Sequence, residues 1–342
     1  MVIVISLKNV AEVNTLKLKN NLNSVKRTLR SGVGVCAVVK ADAYGHGAVG
    51  VARCLDRPVD SFAVSLVDEG IELRISGIKR PILVLIPTDF EGICRASAYG
   101  LSLTVGSFDD IKNLELARKT RDITFRCHIK INTGMNRFGF EVGEVEHACR
   151  MLKRVGVFVE GCFSHFSCPQ DEAITQAQFE SFSVARGVVA SFFKEVCYHI
   201  SASGGILCGK KYNLDMVRPG LLLYGYLPFE SNALSVDPVM KIYSKNLICR
   251  KIRKGSNLLY GEYDFPHSGG VSIVRTGYAD GFSRKENNIY NARCMDVSAV
   301  AQSSDSELVT FSNADEVAVA TGRISYDVLC SITKRARIIY KE

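Results

Sequence analysis

The chain has 342 residues, 47% hydrophobic and 23% charged, a balance that suits a soluble globular protein with large cores and excludes a fibrous or disordered one. Its length fits about two domains, or one large barrel with a further module. The net charge is +8, from 43 basic and 35 acidic residues, but the basic residues are scattered and the densest clusters, 250–254 and 334–337, are short, which argues against nucleic-acid binding.

In chain order, residues 9–30 read as an amphipathic helix, with Val10, Val13, Leu16, Leu22, Val25 and Leu29 loosely on one side. Residues 33–39 form a short valine-rich run bounded by Gly32 and by Gly45 and Gly47, the signature of a buried strand. That strand ends on Lys40, which is costly to bury and chemically useful if desolvation frees its neutral amine. Then come a helix (48–55), a strand (61–64), a helix (68–75), a strand (82–86), a strand (101–105) and a helix (108–118) with Ser107 as its N-cap. Residues 124–131 alternate as a strand, 145–153 as a helix, 157–163 as a strand, 175–193 as a long helix, 197–202 as a strand and 214–217 as a last strand.

About eight strand–helix units over some 230 residues predict parallel βαβ units closed into a (β/α)8 barrel. Lys40, Arg137, His165, Ser203 and Arg218 all fall where strands end, the face on which barrels of this kind carry their active sites. After residue 229 the texture becomes short and β-rich: runs at 240–249, 270–276, 295–300, 316–321 and 336–340 predict a mostly antiparallel β domain. The expected division is residues 1–232 for the barrel and 233–342 for the β domain, with 231–238 as the linker. No internal repeat or low-complexity segment is seen.

Twelve cysteines at irregular spacing, with no Cys-x-x-Cys pair, suggest reduced thiols and a cytoplasmic protein, not a disulfide framework or a zinc site. The apolar run at 2–5 is too short for a signal h-region, and no run approaches the roughly 18 residues of a membrane span.

Val38-Val39-Lys40-Ala41-Asp42-Ala43-Tyr44-Gly45-His46-Gly47 resembles the cofactor-attachment segment of the alanine racemases, enzymes that use pyridoxal 5′-phosphate. Further landmarks follow in order: residues 68–74, 130–139, Ser164-His165-Phe166, 216–221, 276–281, Cys294-Met295-Asp296 and Ile324-Ser325-Tyr326-Asp327. The resemblance covers nearly the whole chain. It implies a barrel followed by a β domain, a homodimer, and an amino-acid racemase that supplies D-alanine for peptidoglycan.

The resemblance also implies roles. Lys40 would hold the cofactor as a Schiff base and act as acid or base on one face of the substrate, and Tyr260, donated to the partner subunit's site, would act on the other. Unperturbed lysine and tyrosine titrate near 10, so neighbouring groups must tune them. Arg218 would face the pyridine nitrogen, with His165 beside it. Tyr44, Ser203, Tyr326 and the backbone N–H groups near Gly220 and Leu221 would hold the phosphate. Arg137 would pair with the substrate carboxylate, Met295 and Tyr278 would line the small side-chain space, and Lys130 matches a lysine that many members carry as a carbamate. No metal is implied.

Several positions depart from the family pattern. Asn132 replaces an aspartate, Ala202 an asparagine, the segment after His165 is one residue longer, and Asn291-Ala292-Arg293 shifts an arginine expected at the access channel. These departures leave room for a serine or broad-specificity racemase on the same scaffold. A non-catalytic pyridoxal-phosphate-binding barrel would lack the second domain, and a decarboxylase of the related two-domain plan would not place Arg218 at the ring nitrogen.

Overall fold

The computed structural model describes residues 8–121, 123–260, 263–264, 269–284 and 292–342; the apolar run at 2–5, Gly261 and Asn291 lie outside them. The chain divides into two compact units. One comprises Lys19–Ala43 and Ala48–Asp237, the other the stretch ending at Leu18, Tyr44–Gly47 and Pro238–Glu342.

The first strand, β1 (Val10–Asn14), corrects the expected helix over 9–30. Its Val-Ala-Glu-Val-Asn sequence alternates, Ala11 and Val13 are fully buried, and it pairs with strands near the C-terminus. Sheet pairing from far along the chain overrides the local helical spacing there. The helix proper is Thr15–Thr28, with the Asn14 side chain accepting from Lys17 N at 2.7 Å as a cap.

The first unit is the expected barrel. Its eight strands are β2 (Gly34–Val38), β3 (Ser61–Val64), β4 (Ile82–Val84), β5 (Ser102–Val105), β6 (Arg126–Lys130), β7 (Phe158–Phe163), β8 (Cys197–His199) and β9 (Met216–Val217). Neighbours pair in parallel from β2 through β8, and β9 pairs with β2. The ring is drawn together between β8 and β9 by Asp215 N donating to Tyr198 O at 3.0 Å and Arg218 N donating to Ser201 O at 2.9 Å. Val35, Cys36, Ala37, Val38 and Val39 are all buried, as a parallel strand covered on both faces requires.

Helices wrap the strands because each carries one apolar stripe. Val145–Val155 buries Val145, Ala148, Cys149, Leu152 and Val155, a spacing of three and four residues, and stops at Gly156 in the left-handed conformation. A helix at Phe90–Ala98, capped by Asp89, fills the interval between β4 and β5 that the sequence reading left without one.

The second unit is organised on one long strand, β10 (Met240–Ile252), in a seven-stranded sheet. A hairpin of β11 (Asn257–Leu258) and β12 (Tyr263–Asp264) follows, then β13 (Gly269–Val274), β14 (Ala292–Arg293), β15 (Ser298–Ala301), β16 (Glu307–Phe311) and β17 (Arg337–Lys341). β10 pairs with β1 and β16 along its first half and with β13 along its second, with register shifts at Ile242/Tyr243 and Asn246/Ile248. The expected strand at 316–321 is instead the helix Ala314–Thr321. Asn313 caps it by accepting from Asp315 N at 2.9 Å, and Gly322 ends it in the left-handed conformation. These local signals outweigh the alternation of Val317 and Val319. A second short helix, Ser325–Ser331, follows.

Candidate active site

Lys40 follows the carboxyl end of β2 and opens one helical turn, Lys40–Gly45. The turn is left-handed: φ is +52° at Ala41, Asp42 and Tyr44 and +55° at Ala43. Such a conformation costs about 1–2 kcal/mol per non-glycine residue, so it needs outside support. Glu69 supplies some of it, accepting from Ala41 N at 2.6 Å while its other oxygen accepts from Ser65 N at 2.7 Å and Leu66 N at 3.0 Å. Asp42 accepts from Ala48 N at 2.6 Å, tying the turn to the helix Ala48–Leu55.

Arg218, just past β9, is 2% exposed. Its Nη2 donates to Ser164 O at 2.8 Å and Ile200 O at 3.2 Å and lies 3.3 Å from His165 Nδ1; its Nη1 lies 2.5 Å from His199 Nδ1. The guanidinium also lies 5.1 Å from the centre of the Phe163 ring. Burial pushes its pKa down to about 10, and it remains protonated at neutral pH.

Lys130, the last residue of β6, is 5% exposed, donates to Ile131 O at 3.3 Å and lies 5.0 Å from the Phe163 ring centre. Burial first, then Arg218 and Arg137, push its amine well below the ordinary lysine range. His165 is pushed well below its ordinary range by desolvation and then by Arg218, Lys130, Arg137 and Lys40. Five of the expected site residues therefore act on one another at one end of the barrel. Arg137, on the loop after β6, is exposed. Asn132 braces that loop: its Oδ1 accepts from Gly134 N and Asn136 N, and its Nδ2 donates to Glu141 Oε1 at 2.6 Å. An aspartate at 132 could not make that last bond.

Ser203 opens the short helix after β8, and its Oγ accepts from Gly220 N at 3.0 Å and Leu222 N at 3.3 Å. Gly220 and Leu221 begin a single 3-10 turn, and Leu221 is buried. Ala202 forms a parallel bridge with Arg218.

In the second unit, Tyr44 and Tyr326 face each other with ring centres 5.8 Å apart, and burial raises the pKa of both hydroxyls. Tyr278 and Met295 are joined through backbone: Tyr278 N donates to Cys294 O at 3.1 Å and Ala279 N to Met295 O at 3.0 Å. A Cβ on Gly277 would come within 2.3 Å of Met295 O, so only glycine permits this approach. Tyr260 is 72% exposed and Met295 52% exposed. Arg293 turns inward, donating to Ser283 O at 2.7 Å with its guanidinium 5.1 Å from the Phe282 ring centre.

Sequence reasoning assigned no role to Glu69, His199 or His128, which lie behind the expected residues. Glu69 carried one signal: as the third residue of the helix Val67–Ile75 it is placed to cap that helix's own amino end.

The model of the alanine racemase N-terminal domain matches residues 13–228, and that of the alanine racemase C-terminal domain matches residues 239–340. The chain is 31% identical over 369 residues to alanine racemase 1 of Clostridium acetobutylicum, covering 96% of this chain and 94% of that one. It is 32% identical to the alanine racemase of Thermodesulfovibrio yellowstonii, covering 96% and 97%. Among solved structures, alanine racemase of Clostridium difficile 630 superposes with a TM-score of 0.91 at 30% identity, covering 98% of this chain and 96% of that one.

Proposed function

Because the chain belongs to the alanine racemase family, we propose that it interconverts L- and D-alanine with pyridoxal 5′-phosphate held on the amine of Lys40. The observation that carries this reading is the cluster of cations at the barrel end: Arg218, Lys130, Arg137 and Lys40 all act on His165. Converging cations fit an anionic guest, which a phosphorylated aldehyde and an amino-acid carboxylate both are.

The donor chemistry fits as well. Ser203 Oγ already accepts two backbone N–H groups, so its own proton is left to donate to a phosphate oxygen. With it would act the hydroxyls of Tyr44 and Tyr326 and the N–H of Leu221, while the Gly220 N–H holds Ser203 Oγ in place. Arg218, a donor only, would face the pyridine nitrogen with His165 beside it and leave that nitrogen without a full proton. When bound, the cofactor withdraws electrons from the substrate's Cα and acidifies the proton there.

Inversion at Cα needs a proton removed from one face and returned to the other. Lys40 Nζ would serve one face and Tyr260 Oη of a second copy the other; the exposure of Tyr260 in the single chain favours its use by a partner. Arg137 would hold the substrate carboxylate, and Tyr278 and the Met295 backbone would limit the side chain. Lys130, whose neutral amine can attack carbon dioxide with loss of one proton, would become a carbamate paired with Arg137. The product would feed peptidoglycan synthesis in the cytoplasm.

The test is production of D-alanine from L-alanine by the purified, cofactor-loaded protein, with serine assayed beside it. Lys40→Ala should lose both cofactor attachment and turnover. Tyr260→Phe should keep the cofactor and lose roughly 100-fold or more in kcat. A loaded wild-type protein that makes no D-alanine would end the proposal.

A further inference from the structure

We infer that His128 is a positioning residue for Arg218: acting through His199, it fixes the tautomer that keeps a lone pair facing the guanidinium. The inference rests on Arg218 being the group that faces the cofactor ring.

Arg218 Nη1 lies 2.5 Å from His199 Nδ1. A guanidinium has only donors, so His199 Nδ1 must be the bare nitrogen and the ring's one proton must be on Nε2. His199 Nε2 lies 2.9 Å from His128 Nδ1 and therefore donates to it. The His128 proton is then on Nε2, which lies 3.9 Å from Glu160 Oε2. Glu160 is held in turn by the Ser102 hydroxyl and by Arg126 at 2.8 Å. Every donor points the same way: Arg218 to His199, His199 to His128, His128 towards Glu160. The relay crosses the barrel from β9 through β8 and β6 to Glu160 on β7.

Neither histidine gains by taking a second proton. A proton on His199 Nδ1 would set one donor against another beside a buried cation. Burial and Arg218 push His128 down to about 3 and His199 well below its ordinary range. Phe163 stacks on His199 at 4.9 Å with the planes 7° apart and holds that ring's plane.

A second observation points to the same design. Gly161 lies in the middle of β7, where a Cβ would come within 2.2 Å of His128 Nδ1. The β6–β7 register shifts between Cys127 and His128. The strand gives up a side chain and regular pairing where the His128 ring needs room, and glycine weakens a strand interior. A ring that only filled space would not need both concessions.

The relay is tested on the cofactor-loaded protein with 15N-labelled histidine, the His199 signals being assigned by their loss in His199→Asn. The expected result is one bare Nδ1 and one protonated Nε2 on both His199 and His128. His128→Asn keeps an oxygen acceptor where Nδ1 was, so it should keep the His199 pattern and a kcat within about threefold of wild type. His128→Leu, of similar volume, removes the acceptor. It should mix the His199 tautomers, shift the pH profile of the cofactor's absorption, and lower kcat about tenfold or more with a smaller change in KM. A wild-type His199 protonated on Nδ1, or on both nitrogens, overturns the inference. So does a folded Leu variant with unchanged His199 signals, or one with changed signals and unchanged kcat. If the Leu variant does not fold, the wild-type spectrum and the Asn variant decide. The nitrogen signals need no turnover, so a relay that fails and a protein that is not a racemase give different results.

Discussion

Glu69 accepts a hydrogen bond from the backbone N–H of Ala41, the residue after Lys40, at 2.6 Å. The same carboxylate accepts from Ser65 N and Leu66 N, so one side chain joins the end of β3 to the left-handed turn that Lys40 opens. Glu69→Ala removes three bonds to a charged acceptor and leaves that turn less supported. The expected loss is roughly 2 kcal/mol of stability, after discounting for partial exposure, with Glu69→Gln losing about half as much. Urea unfolding measures the first effect. Cofactor release on dialysis, followed by absorbance, should be faster in the Ala variant. A variant as stable and as well loaded as wild type would mean the turn is held by other contacts.

Gly277 offers a test on the other unit. Its φ of −157° suits any residue, so the constraint is steric: a Cβ would press on the carbonyl oxygens of Met295 and Cys294. Those are backbone atoms and cannot swing away. Gly277→Ala should cost about 1–3 kcal/mol and displace Met295. If Met295 lines the substrate space, KM for alanine should rise more than kcat falls.

Most of the barrel was legible because its strands and most of the helices between them carry a periodic signal, Phe90–Ala98 excepted, and because Lys40, Lys130, His165 and Arg218 stand at or just past strand ends. Two kinds of feature were not. β1 has an alternating sequence within a longer helical spacing, and only its pairing with β10 and β17 decides the matter. That pairing is made by residues some 230 and 330 positions along the chain. The left-handed turn has no residue-type signature, since Ala41, Asp42, Ala43 and Tyr44 are not glycine. The hydrogen bonds that permit it come from Glu69 and Ala48, outside the turn itself. The histidine relay was hidden for a similar reason: His128 and His199 are 71 residues apart and meet only inside the closed barrel.

Lys130 gives a pH prediction with a definite sign. Its amine is pushed well below the ordinary value in the folded protein, whereas in the unfolded chain it titrates near 10.4. Between those two values the unfolded chain binds more protons, so stability rises with pH across that window. In carbon-dioxide-free buffer, urea unfolding from pH 7 to 9 should show wild type gaining stability relative to Lys130→Met, at most about 1.4 kcal/mol per pH unit. The Met variant should be the more stable of the two at pH 7. With bicarbonate present the comparison should reverse, because a carbamate would place an anion beside Arg137. A 13C label from bicarbonate retained on Lys130 would identify that species directly. If bicarbonate changes neither the order of stabilities nor the label, Lys130 acts as an amine.

Tyr260 is 72% exposed in the single chain, and Lys40 belongs to the barrel unit. If each site takes its lysine from one subunit and its tyrosine from the other, Lys40→Ala and Tyr260→Phe damage complementary halves. Each variant alone should be inactive at both sites. Co-expressed in equal amounts, half of the dimers are mixed, and each mixed dimer has one intact site and one with both residues changed. Activity should then recover to about a quarter of wild type, scaling with the mixed fraction isolated by two affinity tags. If lysine and tyrosine came from the same chain, every site in every dimer would keep one defect and mixing would restore nothing. Light scattering on the same samples fixes the subunit number, so a monomer that racemises alanine would be recognised as such and would exclude the shared site.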